Sequence, residues 1–292
     1  MSLVVARVTS DIGFMLADTL LSCELNFPDR KNLVSGEEHA LKIHILNPNT
    51  AIAFAGQVEP SLALIKKLSG ELEMDSSVRV CDRLFSLYKQ LIAERKGQSL
   101  PDCEFLVLQL AADGRKLAWI TSERIAYCES AYIGDPEEYK KMMALRCSYH
   151  PPANQTVQQS DGTFHTVPLV VSDGERDFAE ITDALEKLAF ERRSRTVGAI
   201  CGCVTRVVDA RISGKLEYLQ SVEASLSAAE GHSGFSFLAS NTGTRGMGIY
   251  YISGKIGFLF IVGDSEHNRK EQADTLAQFI KASRARYGLN LE

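Results

Sequence analysis

Near Glu59 the hydrophobic period of the chain changes, and near Cys103 it changes back. Before Glu59, apolar and β-branched residues come in short runs cut by turn residues: LVVARVT, SDIG and FMLAD, then LKIHIL, NPN and TAIAFAG. Runs of this kind read as strands, and the first four are expected to form an antiparallel meander. SLALIKKLSGEL and VRVCDRLFSLYKQLIAERK instead place apolar residues at i, i+3, i+4 and i+7, the spacing of amphipathic helices. CEFLVLQLAA, a DG turn, KLAWIT and RIAYCESAYIG then return to strands. A short helix is expected over about 136–146 (PEEYKKMMALR), a long exposed loop over 148–172, and a helix in ERDFAEITDALEKLAFERRSR. The last third reads as the strands TVGAICGCVTRVV, KLEYLQSV, GFSFLAS, MGIYYIS and KIGFLFIVG, closed by a charged amphipathic helix over about 265–287.

Strands, two helices, strands, two helices, strands and a helix is an α+β order. Two antiparallel sheets with helices on their outer faces satisfy it, because every sheet face is then covered. The expectation is a four-layer αββα sandwich forming a single domain over 1–292, with an extended loop near 148–172. At 292 residues the chain is long enough to bury a substantial core.

The net charge of -5 argues against a general nucleic-acid binder, whose surface would be basic. No segment approaches the roughly 18–20 uninterrupted apolar residues of a membrane span, and the first residues lack the basic flank and apolar core of a signal peptide. The seven cysteines form no CxxC pair, which reads as free thiols in a reducing cytoplasm. Cys201-Gly202-Cys203 lacks the second Cys or His pair of a metal site and reads as part of a strand; no metal or cofactor is expected. SNTGTRGMG at 240–248 lacks the GxxxxGK[ST] order of a phosphate loop and reads as a strand-connecting turn.

Four positions fall in a register of their own. Ser2 follows Met1, and Asp18 stands sixteen residues later in Ala17-Asp18-Thr19. Lys42 opens KIHIL, and Gly56, fourteen residues on, closes AFAG. In these positions the stretch from Ser2 to Gly56 resembles the N-terminal segment of proteasome β subunits and their bacterial relatives, within the N-terminal nucleophile hydrolases. The resemblance implies a peptidase or amidase in which Ser2, exposed by removal of Met1, is the nucleophile. Asp18 and Lys42 would be its electrostatic support and Gly56 the oxyanion donor.

Physical chemistry supports those types. A serine hydroxyl needs a base within hydrogen-bond reach, and an α-amine with a pKa of about 7.7–8.0 is one that the nucleophile itself carries. A neighbouring ammonium favours the neutral amine and an incipient alkoxide. A carboxylate balances that ammonium when it is buried. A glycine lets the substrate carbonyl approach a backbone N–H closely.

By the same register Leu21, Ala40, Phe54 and Val58 match residues lining the pocket beside the scissile bond, which suggests an apolar preference; core packing is the alternative for Phe54 and Val58. Ser22 matches a position whose backbone pairs with an extended substrate. The sequence departs from the family where a serine usually follows "IG", here Asp135. It departs again where an Asp-x-x-Ser-Gly pattern supports the nucleophile, here Gly198-Ala199-Ile200-Cys201-Gly202. Asp135 and Cys201 are therefore candidate supporting residues. The resemblance further implies a peptide or protein substrate, assembly into homo-oligomeric rings, and an ATP-dependent unfoldase as a partner. Two alternatives stand beside it: a catalytically silent ring scaffold and an amidohydrolase acting on a small molecule.

Overall fold

The structure, a computed structural model, describes residues 3–19, 40–75, 77–95, 101–147, 154–158, 164–168, 171–190, 200–206, 214–218, 235–252 and 254–292. It is an α+β protein in which all the strand pairs among the described residues are antiparallel.

β1 (Leu3–Val8) and β2 (Ile12–Asp18) form the expected hairpin. Thr9 closes its turn: the Thr9 hydroxyl donates to Asp11 at 2.7 Å and accepts from the N–H of Ile12 at 3.1 Å. Both faces of the hairpin are buried, which explains its nearly unbroken apolar run. Val4, Ala6, Met15 and Ala17 enter a central core, whereas Leu3, Val5, Phe14 and Leu16 face the other way.

β3 (Ile43–Asn47) and β4 (Thr50–Gly56) form a second hairpin, as expected, but not beside the first. The four-strand meander is corrected here. The free edge of β2 is taken by β11 (Ile200–Arg206), while β3 and β4 belong to a different sheet. Alternation divides β3 and β4 as well: Ile43, Ile45, Ala51 and Ala53 join the central core, and Ile52 and Phe54 face α1 (Val58–Met74) and α2 (Val80–Glu94). Both helices lie where the period predicts.

β5 (Cys103–Ala111) and β6 (Gly114–Ile120) turn at Asp113-Gly114, with Gly114 at φ 130°, a conformation that favours glycine. The run RIAYCESAYIG, expected as one strand, is two. β7 (Ile125–Cys128) ends the sheet β3-β4-β5-β6-β7, and β8 (Ser130–Gly134) ends the other five-stranded sheet, β12-β11-β2-β1-β8. The chain changes sheet at Glu129, whose carbonyl accepts from the N–H of Val8 at 2.8 Å.

α3 (Pro136–Arg146) matches its expected range; Asp135 caps it and Pro136 occupies the first position, where no N–H is needed. α4 (Asp173–Phe190) packs with α3 over Leu3, Val5, Phe14 and Leu16. Arg146 binds Asp177 and Glu180 of α4, and Arg7 of β1 reaches Asp177 at 2.9 Å, so one cluster ties both helices to the sheet. Between the helices, the expected loop over 148–172 instead carries a two-stranded ribbon, β9 (Asn154–Gln158) and β10 (Phe164–Pro168). The Asp161-Gly162 turn signal between two threonine- and valine-bearing runs is the pattern that marks it.

β12 (Leu216–Tyr218) pairs with β11. The Tyr218 hydroxyl donates to the carbonyl of Ile43 at 2.9 Å and accepts from the N–H of Ile45 at 3.0 Å, pinning this strand to the second sheet. A further sheet follows: β13 (Phe235–Ser240), β14 (Gly246–Tyr251), β15 (Ile256–Ile261) and β16 (Arg269–Gln272), backed by α5 (Leu276–Tyr287). The expectation of two sheets, and of one helix over 265–287, is corrected accordingly. β16 reads RKEQ, a charged edge strand with no apolar alternation to announce it. SNTGTRGMG does join β13 to β14 as expected.

Candidate active site

At one end of the first sheet, four strands present their terminal residues together. Leu3 opens β1, Asp18 closes β2, Gly134 closes β8 opposite Leu3, and Ile200 opens β11 opposite Asp18. The Asp18 carboxylate is the hub. Its Oδ1 accepts from the backbone N–H of Leu3 at 2.8 Å, and its Oδ2 lies 2.5 Å from Lys42 Nζ. Both side chains of the ion pair have no exposed surface.

Lys42 is carried in by the other sheet. The N–H of Ala40 donates to the carbonyl of Thr19 at 2.8 Å, bringing the approach to β3 against the end of β2. The carbonyl of Lys42 accepts from Phe54 N–H at 3.0 Å, which fixes Lys42 beside β4 two residues before Gly56. Burial is the largest influence on each partner, pushing the Asp18 carboxyl up and the Lys42 ammonium down, and their mutual attraction opposes both shifts. A desolvated lysine held in this way is poised to exchange a proton or to polarise what it touches.

Gly56 ends β4 with φ 96°, exposed where the rest of the strand is buried. A Cβ there would stand 2.0 Å from the carbonyl oxygen of Asp102, so both backbone conformation and space require glycine.

Of the other expected residues, Ala40 and Phe54 are fully buried; Phe54 belongs to the core beneath α1 and α2, and Val58 packs half-buried against the same core. Asp135 follows directly on Gly134 and so stands at the same sheet end, with Oδ1 accepting from the N–H groups of Glu137 at 2.9 Å and Glu138 at 3.3 Å. Cys201 lies in β11 opposite Ala17, one residue from the partner of Asp18. Ser2, Leu21 and Ser22 lie outside the described residues.

Two residues near the site were not singled out by their sequence. His44, two positions after Lys42, is buried; its Nε2 bonds the Leu41 carbonyl at 2.9 Å while Nδ1 has no partner. Burial pushes its pKa down to about 4, so the ring is neutral at neutral pH. Alternation from Lys42 is the signal that places it on the same side of the chain. Glu104 sits opposite Ala55, a lone charge in the apolar run CEFLVLQL. Among the described residues no group of three or more His, Cys, Asp or Glu side chains is placed to hold a metal, and no helix is long and apolar enough to cross a membrane.

No model of a known protein family matches the chain, and neither does any curated protein.

Proposed function

We propose that the protein is an N-terminal nucleophile hydrolase of the proteasome β-subunit type that cleaves peptide or amide bonds through an acyl-enzyme on Ser2. In this reading it is a single domain in which the two five-stranded sheets and α1–α4 form an αββα sandwich, with β13–β16 and α5 added to it. One observation carries the reading: the Asp18 carboxylate joins the buried Lys42 ammonium to the backbone N–H of Leu3. Leu3 is the residue bonded directly to Ser2, the nucleophile of this reading. The layering supports the same reading, with α1 and α2 on one sheet, α3 and α4 on the other, and a shared core between the sheets.

In this mechanism Ser2 Oγ attacks the substrate carbonyl carbon while the free α-amine of Ser2 takes the hydroxyl proton. The Lys42 charge favours the neutral amine beforehand and the developing alkoxide during attack. Asp18 holds Lys42 and, through Leu3, the strand end that carries the nucleophile. The backbone N–H of Gly56 receives the oxyanion. The ammonium then returns its proton to the leaving nitrogen, the C–N bond breaks, and water, deprotonated by the same amine, hydrolyses the ester. The reading places the protein in the cytoplasm as a homo-oligomer acting on peptides, with an unfoldase as supplier, and with Leu21, Ser22 and Val58 along the substrate, whereas Ala40 and Phe54, both fully buried, serve as packing behind it.

The mechanism requires Ser2 to be the first residue of the mature chain. Intact-mass measurement of the native protein after treatment with a β-lactone probe tests it. One adduct per chain lacking Met1, absent in Ser2→Ala, is expected; a retained Met1 or labelling unchanged in Ser2→Ala would defeat it. A ring that assembles without labelling would favour the silent scaffold. The engagement of Asp135 Oδ1 in capping α3, where the family uses a hydroxyl, is the observation on that side.

A further inference from the structure

A cleft of about 510 Å³ opens along the seam where the two five-stranded sheets expose their edge strands, between β6 and β7 on one side and β8 on the other. Its volume is that of a small-molecule site. Trp119, Ala126, Cys128, Tyr132 and Pro136 give it mainly apolar walls, and Glu104 supplies its one carboxylate. Tyr132 is fixed by stacking on Tyr139, with ring centroids 3.7 Å apart, so that wall is preformed.

Glu104 is half-buried, and among the described residues it has no ion-pair partner. The N–H of Gly134 favours its charged form, but among the described residues the charge acting on it is that of Asp102, which has the same sign. Burial accordingly pushes its carboxyl pKa up. A desolvated carboxylate without a counter-ion, walled by electron-rich rings, is complementary to a cation. The molecule already uses one of those rings in this way: the guanidinium of Arg124 stands 5.9 Å from the centroid of Trp119.

We propose that the cleft binds an organic cation, an ammonium or guanidinium on a short apolar stem, with Glu104 as counter-ion and Trp119 and Tyr132 as walls. Binding does not depend on catalysis. The position of the cleft still bears on the peptidase reading, because Gly134, on its wall, pairs with Leu3, and Glu104 pairs with the residue before Gly56. A basic side chain or free amine of a substrate would therefore be seated beside the strand ends that carry the nucleophile and the oxyanion donor.

Trp119 is the single tryptophan of the chain, so intrinsic fluorescence reports on the cleft directly. The full-length protein is titrated with cyclohexylmethylamine, with N-acetylarginine amide, and with cyclohexylmethanol as the neutral control. Saturable changes are expected for the two cations and none for the alcohol. Glu104→Gln should weaken cation binding about tenfold or more, an effect on the scale of a lost charge pair. Tighter binding of the arginine amide identifies a peptide side chain as the source, and tighter binding of the amine a free small amine. Ala126→Phe, which fills the cleft, should abolish both responses, with circular dichroism confirming that each variant is folded. No saturable change, an equal response to the alcohol, or unchanged cation binding in folded Glu104→Gln or Ala126→Phe would overturn the proposal.

Discussion

The backbone N–H of Leu3 donates to the carboxylate of Asp18 at 2.8 Å, and the same carboxylate holds Lys42 at 2.5 Å with neither charged side chain reaching solvent. Removing one charge from such a pair costs far more than removing both, because the survivor is left buried and uncompensated. Asp18→Asn is expected to destabilise the fold by about 3–5 kcal/mol. The double variant Asp18→Asn/Lys42→Met should recover a large part of that loss. Urea denaturation of the wild type and these two variants checks the order, and a double variant no more stable than Asp18→Asn would contradict it.

Gly56 makes a separate demand on the same site. At φ 96°, with a would-be Cβ 2.0 Å from the Asp102 carbonyl, Gly56→Ala must displace the backbone of β4 or β5. A strain of about 1–3 kcal/mol is expected, measurable as a lower melting temperature. Probe labelling of Ser2 should fall at temperatures where the variant is still folded. Gly114→Ala, also at positive φ but with open space around it, should cost less and leave labelling unchanged.

Most elements with a local pattern were legible in the sequence, the β9–β10 ribbon, expected as a loop, being an exception, and the pairings between distant strands were not. α1 and α2 follow from their period, and β1–β2 and β3–β4 from short turns. The sequence has no local mark for the capture of the β2 edge by β11, because that pairing joins Asp18 to Ile200 across most of the chain. β7 and β8 merged into one run because the sheet change at Glu129 breaks neither polarity nor β-propensity. In the site, the resemblance to the proteasome β-subunit segment picked out Asp18 and Lys42, whereas the bond from Leu3 is a backbone contact that no side-chain pattern encodes. Glu104 was not singled out, since the absence of a counter-ion among the described residues is a property of what surrounds it.

In the last sheet, glycines make room for an aromatic ring. A Cβ on Gly257 would stand 2.1 Å from Phe279 Cε2, and one on Gly248 3.1 Å from Cε1, so α5 docks by seating Phe279 over two glycines. Gly257→Ala is expected to destabilise by about 1–3 kcal/mol through overpacking. Phe279→Leu should cost less in the Gly257→Ala background than in the wild type. A double-mutant cycle by chemical denaturation measures the coupling, and strictly additive effects would show that the ring and the glycine do not meet.

His44 gives the fold a predictable response to acid. Its folded-state pKa is lowered to about 4 against an ordinary 6.5, so between those values the unfolded chain binds the proton more readily than the folded one. Stability from this group is fully present above pH 6.5, is lost progressively as pH falls, and is gone below pH 4. The full difference corresponds to about 3 kcal/mol. Asp18, whose pKa is raised, binds protons more readily when folded and acts in the opposite sense over part of the acid range, so the wild-type curve alone does not isolate the histidine. The comparison that does is wild type against His44→Gln, which cannot titrate. Unfolding free energies of the two proteins, measured from pH 7 to pH 4, should converge as pH falls. A constant difference across that window would mean that His44 keeps its ordinary pKa in the folded protein.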